Sequence, residues 1–407
     1  MIALDAPHST GKTVSRSLPI DIGLLWHSAR SGNLGVGALT IGNMSIAGEV
    51  ARDMGLTPRF TILSMRDGDT PPLTDEGVQV VVIDSRFLFG GGFWKQVGHL
   101  DCVLDIGAGD SFADIYGPKR FGFLWLSKAM TLARRVPLML SPQTIGPFTR
   151  QPYRMLAAAV MKRCAAVVAR DDRSLEVTRE MAPAAHALRS VDVAFVMPYR
   201  DQSHLRGGPH IRVGINASGL LFHEAESGNN HFGLSYDYAR FTRQTIEALL
   251  KRGDVDVHLV THATSKGMPQ DDDARLADRL AAEYPAAIRV PDFLHPEDAK
   301  SYISGLDMLV AGRMHACIGA YSAGTPVVPV AYSRKFSGLF GMLCYDWMIP
   351  VTGMDAEQAS AFILKALDSR PAMATDIRKG MVQVAEKLDL YRDALRVLFT
   401  QALKHRA

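Results

Sequence analysis

Residues 308–331 read MLVAGRMHACIGAYSAGTPVVPVA, and this stretch decides the fold class of the chain. The apolar runs Met308–Ala311 and Val327–Ala331 have the length of buried strands, and Met314–Ala323 between them has the length of a helix. Two near-continuous apolar strands joined by a helix form the unit from which parallel sheets are built, with helices on both faces. The stretch therefore predicts an α/β protein.

The same alternation of strand and helix occupies both halves of the chain. It is interrupted at Pro198–His210, where the sequence PYRDQSHLRGGPH has the polar, Gly- and Pro-containing composition of a linker. We predict two doubly wound, Rossmann-like domains, residues 1–197 and 211–407, with a cleft between the carboxyl ends of their sheets. The mainly helical segment Ala356–His405 is expected to pack back on the first domain.

Length, composition and charge exclude several classes of protein. A chain of 407 residues is too long for one ordinary core, and 47% hydrophobic with 21% charged residues is a globular composition. The formal net charge of +3 is small, and we identify no basic stripe or aromatic–basic module of the kind that binds nucleic acid. Functional positive charge is therefore expected to be local, as in a pocket for a small anion.

Cysteine usage and hydropathy indicate a cytoplasmic protein. The four cysteines lie far apart without a CxxC pair, and three of them sit in or beside apolar runs, which favours buried, reduced thiols over disulfides or a zinc site; the four are Cys102, Cys164, Cys317 and Cys344. The first residues lack the pattern of a secretion signal, and no apolar run approaches the ~20 residues of a membrane-spanning helix. Peripheral contact with the inner face of the membrane stays open.

Three patterns resemble functional motifs but have better explanations. Ser9–Thr13 (STGKT) resembles the end of a phosphate-binding loop, but Ala6 replaces its first glycine and no strand precedes it. His258 and His262 share one strand face, yet nothing completes a metal-ligand set at the required spacing, so we expect no metal. The acidic run Asp271–Asp273 stands at the start of a predicted helix, where carboxylates favour the helix dipole.

Three polar residues follow strands of the first half and are candidates for binding a sugar acceptor. Asn33 lies in the Gly-rich segment SGNLGVG, Asp110 in DIGAGDS and Gln143 in SPQTIGPF. Side chains at the carboxyl ends of neighbouring parallel strands face the same crevice. Each also has a structural alternative, namely a tight turn for the first, a helix cap for the second and a strand end for the third.

Four basic groups follow strands in the same way. Arg170 comes directly after a strand, Arg313 and His315 stand where a strand becomes a helix, and Lys335 occupies the equivalent place after the next strand. Gathering cations at helix amino termini is unfavourable unless an anion compensates them. Since the guanidinium fork suits phosphate and carboxylate, the pattern predicts a site for an anionic ligand.

These segments together resemble the polysaccharide pyruvyltransferase family. The resemblance runs from about Leu25 to Gly341 and rests on the ordered blocks GNLGVGAL, DCVLDIGAGDSFADIYG, SPQTIGPF, VVARDDRS, VGINASGLL and GRMHACIGAYSAGTPVVPVAYSRKF. It implies a two-domain architecture like that of the GT-B glycosyltransferases. It also implies that Arg170, Arg313 and Lys335 bind phosphoenolpyruvate and that His315 transfers protons. The chain departs from many relatives at Val36, where they have an acidic residue.

The implied reaction moves a pyruvyl group from phosphoenolpyruvate onto two hydroxyls of a sugar, which forms a cyclic ketal during polysaccharide synthesis. Phosphoenolpyruvate is then a co-substrate, and neither a metal nor another cofactor is expected. The saccharide acceptor can be free or lipid-linked. Two alternatives stay open: a GT-B glycosyltransferase that uses a nucleotide sugar, and a saccharide-binding protein without catalysis.

Overall fold

A computed structural model describes residues 18–65, 77–107, 111–265 and 267–406. The STGKT motif and the acceptor candidate Asp110 lie outside these residues. Thirteen strands are found within them: β1 Leu18–Leu25, β2 Leu56–Ser64, β3 Gln79–Val82, β4 Cys102–Asp105, β5 Ser111–Phe112, β6 Leu138–Ile145, β7 Ala166–Ala169, β8 Ala187–Arg189, β9 Ile211–Asn216, β10 Val255–Leu259, β11 Ile288–Arg289, β12 Met308–Ala311 and β13 Val327–Pro329.

Fourteen α-helices connect these strands in the same described ranges. They are α1 Leu34–Asp53, α2 Ser85–Phe89, α3 Gly92–Val97, α4 Pro118–Ala133, α5 Tyr153–Met161, α6 Asp172–Met181, α7 Gly219–Glu226, α8 Tyr238–Leu250, α9 Asp273–Glu283, α10 Pro296–Ser304, α11 Met314–Ser322, α12 Arg334–Met342, α13 Ala356–Asp368 and α14 Arg370–Arg406.

The strands form two separate parallel sheets. The first has the order β3-β2-β1-β4-β6-β7-β8, with β5 paired to β6, and the second has the order β11-β10-β9-β12-β13. In each sheet the strand order reverses beside the first strand of the unit, at β1/β4 and at β9/β12. Such a switch point opens a crevice at the carboxyl ends of the strands, where α/β proteins bind ligands. The predicted pair of doubly wound units is confirmed.

Helix α1 is a core helix of the first unit. It begins after Asn33, whose side-chain oxygen accepts a hydrogen bond of 3.0 Å from the Gly35 amide and so caps the helix. Of the helices in the described residues, this one alone is long and apolar enough to span a membrane, but 72% of its apolar window is buried inside the protein. Its apolar face packs on the first sheet, which explains its composition.

The closing helix α14 contacts both units. On the first, the buried Tyr391 hydroxyl lies 2.7 Å from Asn43 Oδ1 and 2.9 Å from Ser141 Oγ. On the second, Gly380 of the same helix lies so near the Tyr321 hydroxyl that a Cβ atom at Gly380 would be 1.9 Å from it. A helix that packs against both units in this way holds the two sheets in a defined relation.

Candidate active site

The carboxyl ends of the two sheets face a cavity of about 260 Å³. Among the residues that line it are six basic groups: Arg120, Arg170, His262, Arg313, His315 and Lys335. The four basic residues predicted from strand ends are therefore together, although they belong to two different sheets. The volume lies below the ~300–1,000 Å³ of pockets for drug-sized ligands, which suits a small ligand.

Main-chain hydrogen bonds join the two units directly beside this cavity. The Leu34 amide donates to the His262 carbonyl at 3.1 Å, and the Thr264 amide donates to the Gly32 carbonyl at 2.9 Å. A Cβ atom at Gly35 would stand 2.3 Å from Nδ1 of His315. Glycine is therefore required at this position, because any side chain would push against the imidazole ring from the opposite unit.

A buried carboxylate, Asp192, lies between two of the predicted residues. Its Oδ2 accepts a hydrogen bond of 2.8 Å from Arg170 and stands 3.6 Å from Nε2 of His315. Arg170 is fixed further by a 2.9 Å bond from its Nε to Thr144 Oγ1. Nε2 of His315 is itself buried and has no hydrogen-bond partner among the described residues. A buried nitrogen without a hydrogen-bond partner is available to bind a ligand.

Asp192 is ionised in the folded protein at neutral pH. Burial by itself raises the pKa of a carboxyl group, but the neighbouring His315 side chain and the Arg170 guanidinium outweigh it and lower the pKa of Asp192 to about 2. The carboxylate is therefore available to orient the imidazole ring and to stabilise its protonated form.

Arg313 has a different environment, with two carboxylates. Its Nη2 donates to Asp273 Oδ1 at 2.7 Å and to Asp271 Oδ1 at 2.6 Å. Burial opposes the charge of Arg313, but Asp273 and then Asp271 outweigh it and raise its pKa. Nη1 of Arg313 makes no hydrogen bond to the part of the chain that the structure describes, so this edge of the guanidinium is available to a ligand.

Asp273 is the centre of a buried network. Besides Arg313 it accepts hydrogen bonds from the Gly219 amide at 3.0 Å, the Ala263 amide at 3.2 Å and the Asn216 side-chain amide at 3.2 Å. The acidic run Asp271–Asp273 therefore does more than start a helix. Asp272 does cap α9, by accepting from the Ala274 amide at 2.9 Å, but its two neighbours hold Arg313.

His262 forms a neutral part of the cavity wall. Burial, followed by the nearby His315 and Arg313, lowers its pKa to about 3. No group of three or more His, Cys, Asp or Glu side chains in the described ranges is arranged to hold a metal ion. The residues there offer hydrogen-bond donors and positive charge to a ligand.

The acceptor candidates occupy different places. Asn33 lines the cavity, and its side-chain oxygen caps α1 by accepting from the Gly35 amide. Gln143 is 1% exposed, and its side-chain amide donates to the Asp105 carbonyl at 2.7 Å, so the structure gives it a buried contact within the sheet. Asp105 in turn forms a fully buried ion pair of 2.9 Å with Lys128.

Two further residues of the site were not anticipated from sequence. Arg120, in the first turn of α4, lines the cavity, and its guanidinium lies 4.5 Å from the centre of the Tyr116 ring. Its Nε is buried without a hydrogen-bond partner among the described residues. Asp192 is the other, and its signal was present: a carboxylate inside the apolar run Val191–Val196 needs a partner or a function.

Comparison with known proteins identifies relatives of the chain. A family model described as polysaccharide pyruvyl transferase matches residues 42–334. The amylovoran biosynthesis protein AmsJ of Erwinia amylovora is 23% identical over 270 residues, which cover 62% of this chain and 61% of that protein. The chain thus spans less than two thirds of that relative's length.

Solved structures show the same architecture at low sequence identity. Anabaena HepE, determined in complex with UDP and glucose, superposes with a TM-score of 0.54 at 13% identity, covering 94% of this chain and 99% of HepE. A trehalose 6-phosphate synthase from Burkholderia multivorans superposes with a TM-score of 0.52 at 10% identity, covering 96% of this chain and 99% of that enzyme. At such identities the likeness establishes a GT-B-like fold and nothing about ligands.

Proposed function

The chain belongs to the polysaccharide pyruvyl transferase family, and we propose that it transfers a pyruvyl group from phosphoenolpyruvate onto two hydroxyls of a sugar to form a cyclic ketal. The observation that carries the proposal is the convergence of Arg170, Arg313, His315 and Lys335 on one cavity between the two sheets. A role in exopolysaccharide synthesis agrees with the relationship to the amylovoran protein.

The cavity has the charges that the donor requires. Phosphoenolpyruvate carries a phosphate and a carboxylate, and guanidinium groups bind both with paired hydrogen bonds. Arg170 and Lys335 lie on opposite sides of the interface between the units, and Arg313 offers its Nη1 edge. In the proposed complex these groups neutralise the phosphate and stabilise the charge that develops on it as it departs.

His315 is the proposed proton-transfer group. A proton added to the methylene carbon of phosphoenolpyruvate makes a methyl group and leaves the neighbouring carbon electron-poor, so that one sugar hydroxyl attacks it. The C–O bond to phosphate breaks, and the second hydroxyl closes the ketal ring. Of the two hydroxyl protons, one balances the proton gained by the methyl group and the other leaves with phosphate. A histidine with a carboxylate beside its ring is suited to transfer both protons.

The donor can be tested directly by ligand-induced stabilisation. Binding to the native state raises the unfolding temperature by mass action, so phosphoenolpyruvate should raise it and UDP or UDP-glucose should not. Release of inorganic phosphate should then depend on an added saccharide. Stabilisation by the nucleotide sugar alone would instead favour glycosyl transfer, and stabilisation by saccharides without turnover would favour a binding protein.

Variants of the donor site separate binding from folding. Arg170→Gln and Lys335→Gln should each weaken phosphoenolpyruvate binding by a few kcal/mol at most, the scale of charged hydrogen bonds. Arg179→Gln, on an exposed position of α6, is the matched control and should bind the donor normally. Wild-type donor affinity in both site variants would refute the proposed donor site.

A further inference from the structure

The small net charge of the chain conceals an uneven distribution. Residues 85–170 contain 12 lysines and arginines against 4 aspartates and no glutamate, whereas the remainder contains 33 basic and 38 acidic residues. The first stretch therefore carries a formal charge of +8 and the remainder −5. Such asymmetry between parts of one chain points to an interaction with a polyanionic surface.

The helices of the basic stretch, α2 to α5, pack in one layer on a face of the first sheet, while its strands β4 to β7 belong to the sheet itself. Of its 12 basic residues, Lys128 is buried and Arg120 and Arg170 line the cavity. Helices α2, α3, α4 and α5 contain no acidic residue. They are contiguous, because the rings of Phe89 in α2 and Phe123 in α4 lie 6.3 Å apart and Trp125 of α4 donates to the Leu156 carbonyl of α5 at 3.0 Å. We name the outer surface of these helices, together with the basic residues that flank them, the aromatic–basic face.

Large apolar side chains stand in water on this face. Phe89 is 69% exposed, Met155 is 63% exposed and Trp94 is 38% exposed. Exposed cations stand on the same helices or directly after them, namely Lys119 in α4 and Lys162 and Arg163 at the end of α5. Single exposed apolar residues are common in soluble proteins, but apolar side chains gathered among cations mark a surface for interaction.

The outer helices of the second unit lack this character. On α8 and α9 the basic side chains are paired with acidic ones, for example Arg279 2.6 Å from Glu226 and Arg243 3.0 Å from Glu283. On the aromatic–basic face Arg154 pairs with Glu180 at 3.0 Å, whereas the exposed Lys119, Lys162 and Arg163 form no ion pair with a carboxylate of the described residues. The excess of exposed positive charge is therefore a property of helices α2 to α5 of the first unit.

We propose that the aromatic–basic face docks the protein on an anionic lipid bilayer. Its cations match the negative headgroups, and its apolar side chains match the acyl boundary just beneath them. A soluble polyanion would use the cations but would have no use for exposed Phe89 and Met155. The lipid surface is therefore the occupant that both features fit.

The face reaches the cavity through α4. Arg120 lies one turn from Phe123 on this helix and lines the cavity, so docking brings the entrance of the site to the membrane. Resting on the proposed function, this arrangement presents the cavity to an acceptor sugar that is carried on a lipid. Docking itself can be tested without any acceptor.

Co-sedimentation of the full chain with vesicles tests the docking. We expect binding to vesicles of phosphatidylcholine and phosphatidylglycerol, weakened by salt, and little binding to vesicles of phosphatidylcholine alone. The variant Lys162→Glu/Arg163→Glu should bind the anionic vesicles at least ~10-fold more weakly. The variant Phe89→Ser/Met155→Ser should lose a comparable factor, at least ~10-fold.

Matched control substitutions lie on the second unit and on α14. Leu294→Ser removes a side chain that is 60% exposed, and Lys379→Glu reverses an exposed charge on α14; both should bind the vesicles like the wild type. Absence of binding to the anionic vesicles would overturn the proposal. The proposal would also be overturned if Lys162→Glu/Arg163→Glu lost vesicle binding and Phe89→Ser/Met155→Ser did not. Binding would then depend on charge alone, as it would for a soluble polyanion. Phosphoenolpyruvate binding should be unchanged in all four variants, and it is measured separately.

Discussion

Arg170 and Arg313 end strands of the two different sheets, yet the fold balances their charges in different ways. Asp192 is shared between Arg170 and His315, whereas Asp271 and Asp273 both serve Arg313. On the Arg170 side, one carboxylate therefore lies between two basic groups. On the Arg313 side, two carboxylates pair with one arginine.

The difference indicates a division of labour between the two halves of the cavity. Arg313 and Asp273 form a rigid support, because Asp273 also binds main-chain amides and Asn216 of the second unit. The Arg170–Asp192–His315 group joins the two units instead. We therefore expect substitutions around Asp273 to affect stability first, and substitutions around Asp192 to affect turnover first.

The largest effect is expected for His315→Ala. Loss of a general acid–base group should lower turnover by ~10²–10⁴-fold. Affinity for phosphoenolpyruvate should fall far less, because Arg170, Arg313 and Lys335 remain. Turnover and donor affinity are to be measured on the same variant, with the exposed His223→Ala as a control. If turnover survives, the proton donor lies elsewhere, with Lys335 the next candidate.

Asp273→Ala should cause the largest loss of stability among the substitutions at the cavity. Removing one partner of a buried ion pair leaves Arg313 poorly compensated, at a cost of about 3–5 kcal/mol in the free energy of unfolding. The neighbouring Asp272→Ala removes a helix cap and a hydrogen bond from the Ser265 amide but leaves no buried charge without its partner, and it should cost about 1–2 kcal/mol. Urea unfolding of the two variants provides the comparison, and equal losses would contradict the supporting role of Asp273.

Asp192→Asn should lower turnover by about 10- to 100-fold, the equivalent of one charged hydrogen bond. The pKa of Asp192 is about 2, so the wild-type carboxylate is ionised above that pH and loses its negative charge only as the pH falls through that value. The defect should therefore persist across the neutral range. Turnover and phosphoenolpyruvate affinity are measured on the same variant across this range, and wild-type turnover would reduce Asp192 to a structural residue.

The smallest effect is expected for Asp271→Asn. The Asp271 side chain is 27% exposed, so its loss should cost less than about 1 kcal/mol of stability. It also removes a negative charge beside the donor site, so phosphoenolpyruvate should bind up to about 5-fold more tightly. Calorimetric titration measures this directly. Weaker donor binding would mean that Asp271 positions Arg313 for the ligand.

Local sequence patterns predicted many of the elements closely. The strand Met308–Ala311 has the predicted bounds, because four apolar residues between Asp307 and Gly312 leave little choice. The predicted helix Met314–Ala323 ends at Ser322 in the structure, and the predicted strand Val327–Ala331 ends at Pro329. The short helices α2 and α3 were not predicted, since five or six residues are too few to show a helical period.

The site was predicted only in part, for a physical reason. Arg170, Arg313, His315 and Lys335 could be found because parallel strands bring their carboxyl ends to one edge, whatever the details of packing. Arg120 could not be found in this way, because it stands in the first turn of α4 and does not directly follow a strand. Overall charge was also misleading, since +3 for the whole chain conceals the basic helices of the first unit.

The sequence by itself determined the alternation of strand and helix, the two parallel sheets and the basic residues at their edges. These follow from periodicity and chain direction, which are local properties. Only the tertiary structure decided which carboxylate meets which base: Asp192 between Arg170 and His315, and Asp273 with Arg313. It also decided that Gly35 lies against the His315 ring. The contacts of His315 with Asp192 and Gly35 depend on how the two units meet, and the Arg313–Asp273 pair depends on how α9 packs beside the end of β12. No local pattern in the chain encodes either.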